Sequence, residues 1–453
     1  MHSIKYYSTN LKATPVSFGE ALLNGQAPDK GLYMPEHIPT LSAQELESMA
    51  GLTYPEIAFT VLDAFLKHEI PGNVLKKLVN GAYDFDVPLQ LVSERKYVMR
   101  LDQGPTASFK DFAARMMGRL MSYFLAKRDH ELLILTATSG DTGSAIANAF
   151  YGLENIKVLV LFPEKEVSPR QRKQMTTLGK NVRTVAVDGK FDECQAMVKR
   201  AFADPALQHL NLSSANSINI GRLLPQAVYY FYAWSQLRNS VDDKPVFVIP
   251  SGNFGDMMGG MIAWSMGLPV NRMVIAVNEN DEFKTFLNTG VYQKIEPSLN
   301  CLSSAMNVGH PSNLARLVAL YGGVMDETGA IHQLPEMSLM RNDLYAISVS
   351  DALTKQTIFD AWHKHQLLLE PHGAVGWAGL QQYLVSCKSD NKDLYIVLET
   401  AHPAKFPEQI QGILHFDPDL PASLQGLEEK KEQYGFLSND YESFREFLMN
   451  TYD

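Results

Sequence analysis

Lys110 stands near the start of SFKDFAARMMGRLMSYFLAK, Ser108 to Lys127. Phe109, Phe112, Ala113, Met116, Leu120 and Phe124 recur every three or four residues, which predicts a helix with one apolar face. Ser108 and Asp111 make a weak capping-box variant at its beginning. The amine then lies in the first turn, where the helix dipole opposes a cation and favours the neutral form. A neutral lysine is what Schiff-base chemistry requires. From this stretch alone, a surface lysine at a helix start is the plainer reading.

Two glycine loops add to it. TATSGDTGSA, Thr136 to Ala145, follows a strand-like run and opens a helix-like one. PSGNFGDMMGG, Pro250 to Gly260, repeats the arrangement. Such turns aim backbone N–H groups at whatever sits over the helix N-terminus, which suits an anion. Neither loop has the Walker spacing or the G-x-G-x-x-G dinucleotide fingerprint, and the chain has no G-x-S-x-G elbow and no H-E-x-x-H. Each loop singly could be only a tight turn.

The elements that must carry these loops alternate. Glu131 to Gly140, Ile156 to Pro163 and Val182 to Gly189 read as strands; Gly143 to Leu153, Ser168 to Gly179 and Asp192 to Asp204 read as helices between and after them. The order implies right-handed crossovers and a parallel sheet. Pro245 to Asp256, Arg272 to Asp281 and Asp393 to Thr400 supply strands of a second α/β unit, with a helix at Met257 to Leu268. Gly259 and Gly260 allow that helix close packing. The expected division is an N-terminal extension over 1–96, a larger unit over 97–112 and 205–453, and a smaller unit over 113–204.

The composition narrows the function classes. The chain has 453 residues, 40 Lys plus Arg against 50 Asp plus Glu, and a net charge of −10. That balance argues against a nucleic-acid partner or an anionic membrane. No apolar run approaches membrane-spanning length, and MHSIKYYSTN carries no signal-peptide pattern, so a cytoplasmic protein is expected. Cys194, Cys301 and Cys387 are far apart and read as small buried side chains, with no metal site expected. His310, His372 and His402 read as structural.

Lys110 in SFKDFAA, Thr138 to Gly143 in TSGDTG and Gly252 to Asp256 in GNFGD together resemble the fold type II pyridoxal-phosphate enzymes. Within that group the chain resembles the threonine synthase family, in its longer, microbial-type branch. NSINIGR (Asn216 to Arg222), EPHGAVGWAGL with LETAHPAKF (between Glu370 and Phe406), YYSTN (Tyr6 to Asn10) and the stretch Phe18 to Glu36 carry the narrower match. The resemblance implies two open twisted sheets flanked by helices, as in the β subunit of tryptophan synthase. It implies that Lys110 holds pyridoxal 5'-phosphate covalently and acts as the catalytic base. Gly252, Asn253, Phe254, Gly255 and Asp256 would wrap the cofactor phosphate, with the Asn253 and Asp256 side chains capping that turn. Thr400 would stand near the ring nitrogen and Asp141 near the ring oxygen, where many relatives have asparagine. Thr138, Ser139 and Thr142 would line the substrate side, with Asn253. Asn216, Ser217 and Arg222 would take the phosphate of O-phospho-L-homoserine, although NSINIGR also reads as a helix N-cap. Thr400 read without the family is a strand-end residue. The expected reaction gives L-threonine and phosphate, in a monomer or homodimer. Another enzyme of this fold, or a non-catalytic cofactor carrier, stands as the alternative.

Overall fold

The computed structural model describes residues 3–127, 131–387 and 393–452. Near the N-terminus, β1 (Tyr6–Ser8) and β2 (Tyr33–Pro35) pair antiparallel. The larger sheet takes β3 (Leu89–Ser93), β4 (Lys96–Arg100), β9 (Val246–Pro250), β10 (Arg272–Val277), β13 (Leu344–Ser348) and β14 (Tyr395–Glu399). The smaller takes β5 (Leu132–Ala137), β6 (Ile156–Pro163), β7 (Val182–Asp188), β8 (Leu212–Ser213) and β15 (Gly435–Ser438). A short pair, β11 (Val324–Met325) and β12 (Ile331–Gln333), stands apart. Strand order is β13-β10-β9-β14-β4-β3 in the larger sheet and β15-β7-β6-β5-β8 in the smaller. Only β3 runs antiparallel to its neighbour in these two sheets.

The central strands are apolar without alternation because helices cover both faces. Every residue of β9 and β14 is buried, Glu399 included. The helix Pro371–Cys387 lies on the larger sheet through small residues: a Cβ at Gly376 would meet Val397 at 3.1 Å, and one at Gly379 would meet Ala276 at 2.9 Å. The N-terminal segment shares one continuous core with both sheets. Its helix Phe18–Asn24, closed by a Ser17–Glu20 capping box, sets Gly19 against Phe124 of the Lys110 helix and Leu22 against Gly221.

Three expectations shift. The chain returns at its end to the smaller sheet: β15 pairs with β7, and Phe444 and Leu448 of the helix Tyr441–Tyr452 join the core of that sheet. The tetrapeptide GFLS is mostly exposed, so it carries no apolar signature that would have announced a strand. The limit at 112 falls inside the unbroken helix Lys110–Leu125, and the limit at 96 falls within the β3–β4 pair. Cys387 is exposed, whereas Cys194 and Cys301 are buried as expected. Among the described residues, no helix is long and apolar enough to cross a membrane.

Candidate active site

The motif residues follow the carboxyl ends of parallel strands, where open α/β sheets leave a crevice. Lys110 comes after β4, Thr138 to Gly143 after β5, Gly252 to Asp256 after β9, and Thr400 after β14. The Phe109 N–H donates to the Thr400 carbonyl at 2.9 Å, and Ser108 bridges to Ala401. The start of the Lys110 helix is thereby fixed to the end of β14. Ser108 and Asp111 form no capping box. Phe109 is the N-cap, and the Asp111 carboxylate accepts instead from the Thr106 N–H at 2.8 Å and the Thr106 hydroxyl at 2.7 Å.

Lys110 lies in the first helical turn with its side chain 13% exposed. Its Nζ is 3.7 Å from an oxygen of Asp141, and burial pushes the amine below the ordinary lysine value. Asp141 opposes that shift, whereas Lys405 and Arg222 add to it. Asp141 opens the helix Asp141–Phe150 and is itself buried. Burial alone would raise its pKa, but the Lys405 and Lys110 amines hold the carboxyl well below the usual range. Gln171 Nε2 donates to it at 3.0 Å, from the helix Pro169–Thr176. The turn before it has no room for a side chain: Gly140 has φ +132°, and a Cβ there would meet Gln171 at 2.5 Å. Thr138 builds this turn, its hydroxyl oxygen accepting from the N–H groups of Gly140 and Gly143 at 2.9 and 2.8 Å. Thr138 is 1% exposed, so the open side of the turn belongs to Ser139 and Thr142, which are partly exposed.

The second loop is built on backbone approach. A Cβ at Gly252 would lie 2.8 Å from the Met306 backbone. Phe254 adopts the left-handed conformation (φ 61°) and is the N-cap of the helix Gly255–Ser265. The first N–H groups of that helix have no intrahelical partners. Asn253 spans the loop: its amide donates to the Ser217 hydroxyl at 2.6 Å, and its oxygen accepts from the Ser312 N–H at 2.7 Å. Asp256 does not cap the turn, contrary to expectation. Its carboxylate faces away and accepts from the Tyr229 and Tyr230 hydroxyls. Burial pushes Asp256 up to about 6, against the pull of those two donors. The folded state therefore favours the acid form, and this group adds stability as pH falls from about 6 towards its unfolded value of 3.8. The Asp256→Asn protein keeps an acceptor for both tyrosines. In cofactor-free protein, urea unfolding at pH 7.5 and pH 5 should show the wild type gaining about 1 kcal/mol more than the variant on acidification.

Asn216, Ser217 and Arg222 form the third part. The helix Ile220–Leu223 is capped by Asn219, which accepts from the Gly221 N–H at 2.9 Å, so Asn216 and Ser217 are not its caps. Asn216 Oδ1 and Arg222 Nε are buried without a hydrogen-bond partner. Arg222 is 3% exposed and donates to the Ala215 carbonyl at 2.8 Å. Among the described residues it has no carboxylate within ion-pair distance, and burial lowers its pKa to about 10. A buried cation without a counter-ion is costly unless an anion joins it.

Several residues of this site escaped the sequence reading. Lys405 is fully buried, with Nζ 2.6 Å from Asp141 and 2.8 Å from the Thr106 carbonyl. Arg316, also fully buried, donates to the carbonyls of Tyr33, Ser217 and Ile218 and to Asn313 Oδ1, tying the N-terminal segment to the Ser217 loop. Lys405 stood within a quoted motif; Arg316, in an ordinary amphipathic stretch, left no sign. The three histidines in motif-like surroundings each have hydrogen-bond partners. His372 pairs with Glu370 and accepts from the Ala305 N–H, His310 bonds Tyr292 and the Glu327 carbonyl, and His402 accepts from the Ala404 N–H. Thr400 is buried at its strand end, its carbonyl taken by Phe109.

Known proteins are similar to this chain along its length. Residues 5–83 match the family model "Threonine synthase N terminus", 87–398 match "Pyridoxal-phosphate dependent enzyme", and 373–448 match "Threonine synthase, C-terminal". The threonine synthase of Escherichia coli K12 is 39% identical over 449 residues, covering 99% of this chain and all of that one. The crystal structure of PLP-bound threonine synthase from Brucella melitensis superposes with a TM-score of 0.92 at 36% identity, over 99% of this chain and 100% of that one. The yeast threonine synthase structure gives 0.90 at 32% identity, over 98% of each chain.

Proposed function

The chain belongs to the threonine synthase family of pyridoxal-phosphate-dependent enzymes, and from that premise we propose that it converts O-phospho-L-homoserine and water into L-threonine and phosphate. The observation that carries the proposal is Arg222: a buried guanidinium with no carboxylate within ion-pair distance among the described residues, and close enough to Lys110 to lower its pKa. A phosphate on the substrate supplies the missing charge.

The residues fit the cofactor. Gly252 approaches the Met306 backbone too closely for any side chain, and the N-terminal N–H groups of the helix at Gly255 have no partners within it. The backbone of Gly252, Asn253, Phe254, Gly255 and Asp256 would hold the cofactor phosphate, with the Asp256 side chain turned to the tyrosines. Asp141 would meet the ring oxygen, Thr400 the ring nitrogen, and Lys110 the aldehyde carbon. Bound there, pyridoxal phosphate supplies the electron sink for charge that develops at the substrate's Cα.

The chain's own groups do the rest. Lys110, whose charged form burial disfavours, takes the proton from Cα, passes it on within the site and, free of it again, takes one from Cβ. The Asn216 amide, the Ser217 hydroxyl and the Arg222 fork hold the phosphate as it leaves Cγ. Ser139 and Thr142 line the same side and orient the substrate backbone. Protons return to carbon at Cγ and then at Cα, and water adds its hydroxyl at Cβ while the departed phosphate takes its remaining proton. Asn253, bonded to Ser217, links the substrate loop to the cofactor loop, so one ligand orders the other's site. The reading includes a cytoplasmic enzyme, acting as monomer or homodimer, with no nucleic-acid partner and no metal.

Product analysis tests this. Incubated with O-phospho-L-homoserine, the holoenzyme should release threonine and phosphate in equal amounts. Release of 2-oxobutanoate in place of threonine, or turnover of threonine alone, would overturn the assignment.

A further inference from the structure

The buried site contains two lysines and one carboxylate between them. Lys405 follows β14 on the larger sheet, and Asp141 begins a helix of the smaller sheet, so their ion pair joins the two halves of the cleft. The Lys405 Nζ has two close acceptors, Asp141 Oδ1 at 2.6 Å and the Thr106 carbonyl at 2.8 Å. Lys110 stands 3.7 Å from the other Asp141 oxygen, beyond hydrogen-bond distance. A single carboxylate cannot neutralise both amines in so largely buried a site. Hydrogen-bond distances decide which amine keeps its proton: Lys405 is solvated by the protein, and Lys110 is not.

We propose that Lys405 is a positioning residue of the reaction: by neutralising Asp141 across the cleft, it leaves Lys110 as the uncharged amine. The proposal rests on the reading of Lys110 as the cofactor-bearing base. Among the described residues, Asp141, Lys405, Arg222, Glu370 and Asp256 are charged or titratable groups that face Lys110. Asp111 and His402 face Lys405 from their own elements. Among the described cations, only Lys405 comes within hydrogen-bond distance of Asp141. Burial lowers the Lys110 amine, and the Lys405 charge lowers it further, in keeping with this assignment. A lysine that merely pinned Asp141 to Thr106 would serve the fold equally well, so the test must read the charge of Lys110.

The visible absorbance of the covalently bound cofactor changes when the Lys110 nitrogen gains or loses its proton. Its pH midpoint is to be measured in the holoenzyme for the wild type, Asp141→Asn, Lys405→Arg and the Asp141→Asn/Lys405→Met double variant. The last contains neither charge of the pair, and so avoids leaving a buried carboxylate alone. Asp141→Asn leaves the Lys405 cation uncompensated beside Lys110, and the midpoint should fall by about 1–2 units. Adding Lys405→Met should raise it again by about as much, and Lys405→Arg should keep the wild-type midpoint. Equal midpoints in Asp141→Asn and the double variant would overturn the proposal. Borohydride reduction followed by peptide mapping separates the two readings. A cofactor found on a residue other than Lys110 sinks both, whereas an unmoved midpoint with the label on Lys110 sinks only the role of Lys405.

Discussion

The Lys110→Ala protein should form threonine at least about four orders of magnitude more slowly than the wild type, because the residue holds the cofactor and moves the protons. The fold should survive. The Lys110 amine meets Asp141 at 3.7 Å and the Phe109 ring at 4.7 Å without a close hydrogen bond, and the turn around it is held by Phe109, Thr400, Thr106 and Asp111. Circular dichroism and the urea midpoint should therefore stay within about 1 kcal/mol of the wild type. Steady-state threonine formation at near wild-type rates would remove Lys110 from the mechanism. A small primary amine in the buffer should restore part of the rate, since the vacated space adjoins Asp141 and the buried amine of Lys405 rather than bulk side chains.

The Arg222→Met protein should separate function from stability. Its kcat/KM for O-phospho-L-homoserine should fall about 10²–10³-fold, mainly through KM, as expected when a phosphate loses its guanidinium. Its stability in phosphate-free buffer should be unchanged or higher. The substitution gives up one bond to the Ala215 carbonyl but removes a buried cation that has no carboxylate within ion-pair distance among the described residues. Inorganic phosphate should raise the melting temperature of the wild type and leave that of the variant in place, because only the former binds it in the folded state. An unchanged KM in the variant would show that the substrate phosphate is held elsewhere.

The sequence made the loops legible and left their side chains ambiguous. A glycine between a strand and a helix announces a turn, since the backbone limits what can stand there; Gly140 and Gly252 occupy such places. A polar side chain in the same turn can face either way. Asp256 was expected to cap the cofactor loop and instead meets two tyrosines from the helix Ala227–Leu237, partners that no local pattern discloses. Thr138 was expected to line the cleft and instead closes its own turn. Lys405 was hidden by its type, because lysine in a loop ordinarily means solvent. Its burial depends on Asp141, which lies 264 positions earlier in the sequence. The parallel sheets were legible from apolar runs such as IKVLVLFP, whereas β15, short and exposed, was not.

That last strand bears on how the protein is made. The edge of β7 is covered by residues 435–438, so it stays open until the ribosome has passed residue 438. An uncovered parallel edge is a template for foreign strands. During synthesis the smaller sheet thus passes through a long interval with β7 unpaired on one side and with the places of Phe444 and Leu448 unfilled in its core. A nascent chain that stalls late, or a truncation that removes only the last helix and strand, leaves every residue of the active site in place and still yields a sticky half-finished sheet. Residues 435–452 act as a seal, applied after Lys110, Asp141, Arg222, Thr400 and Lys405 have already been translated.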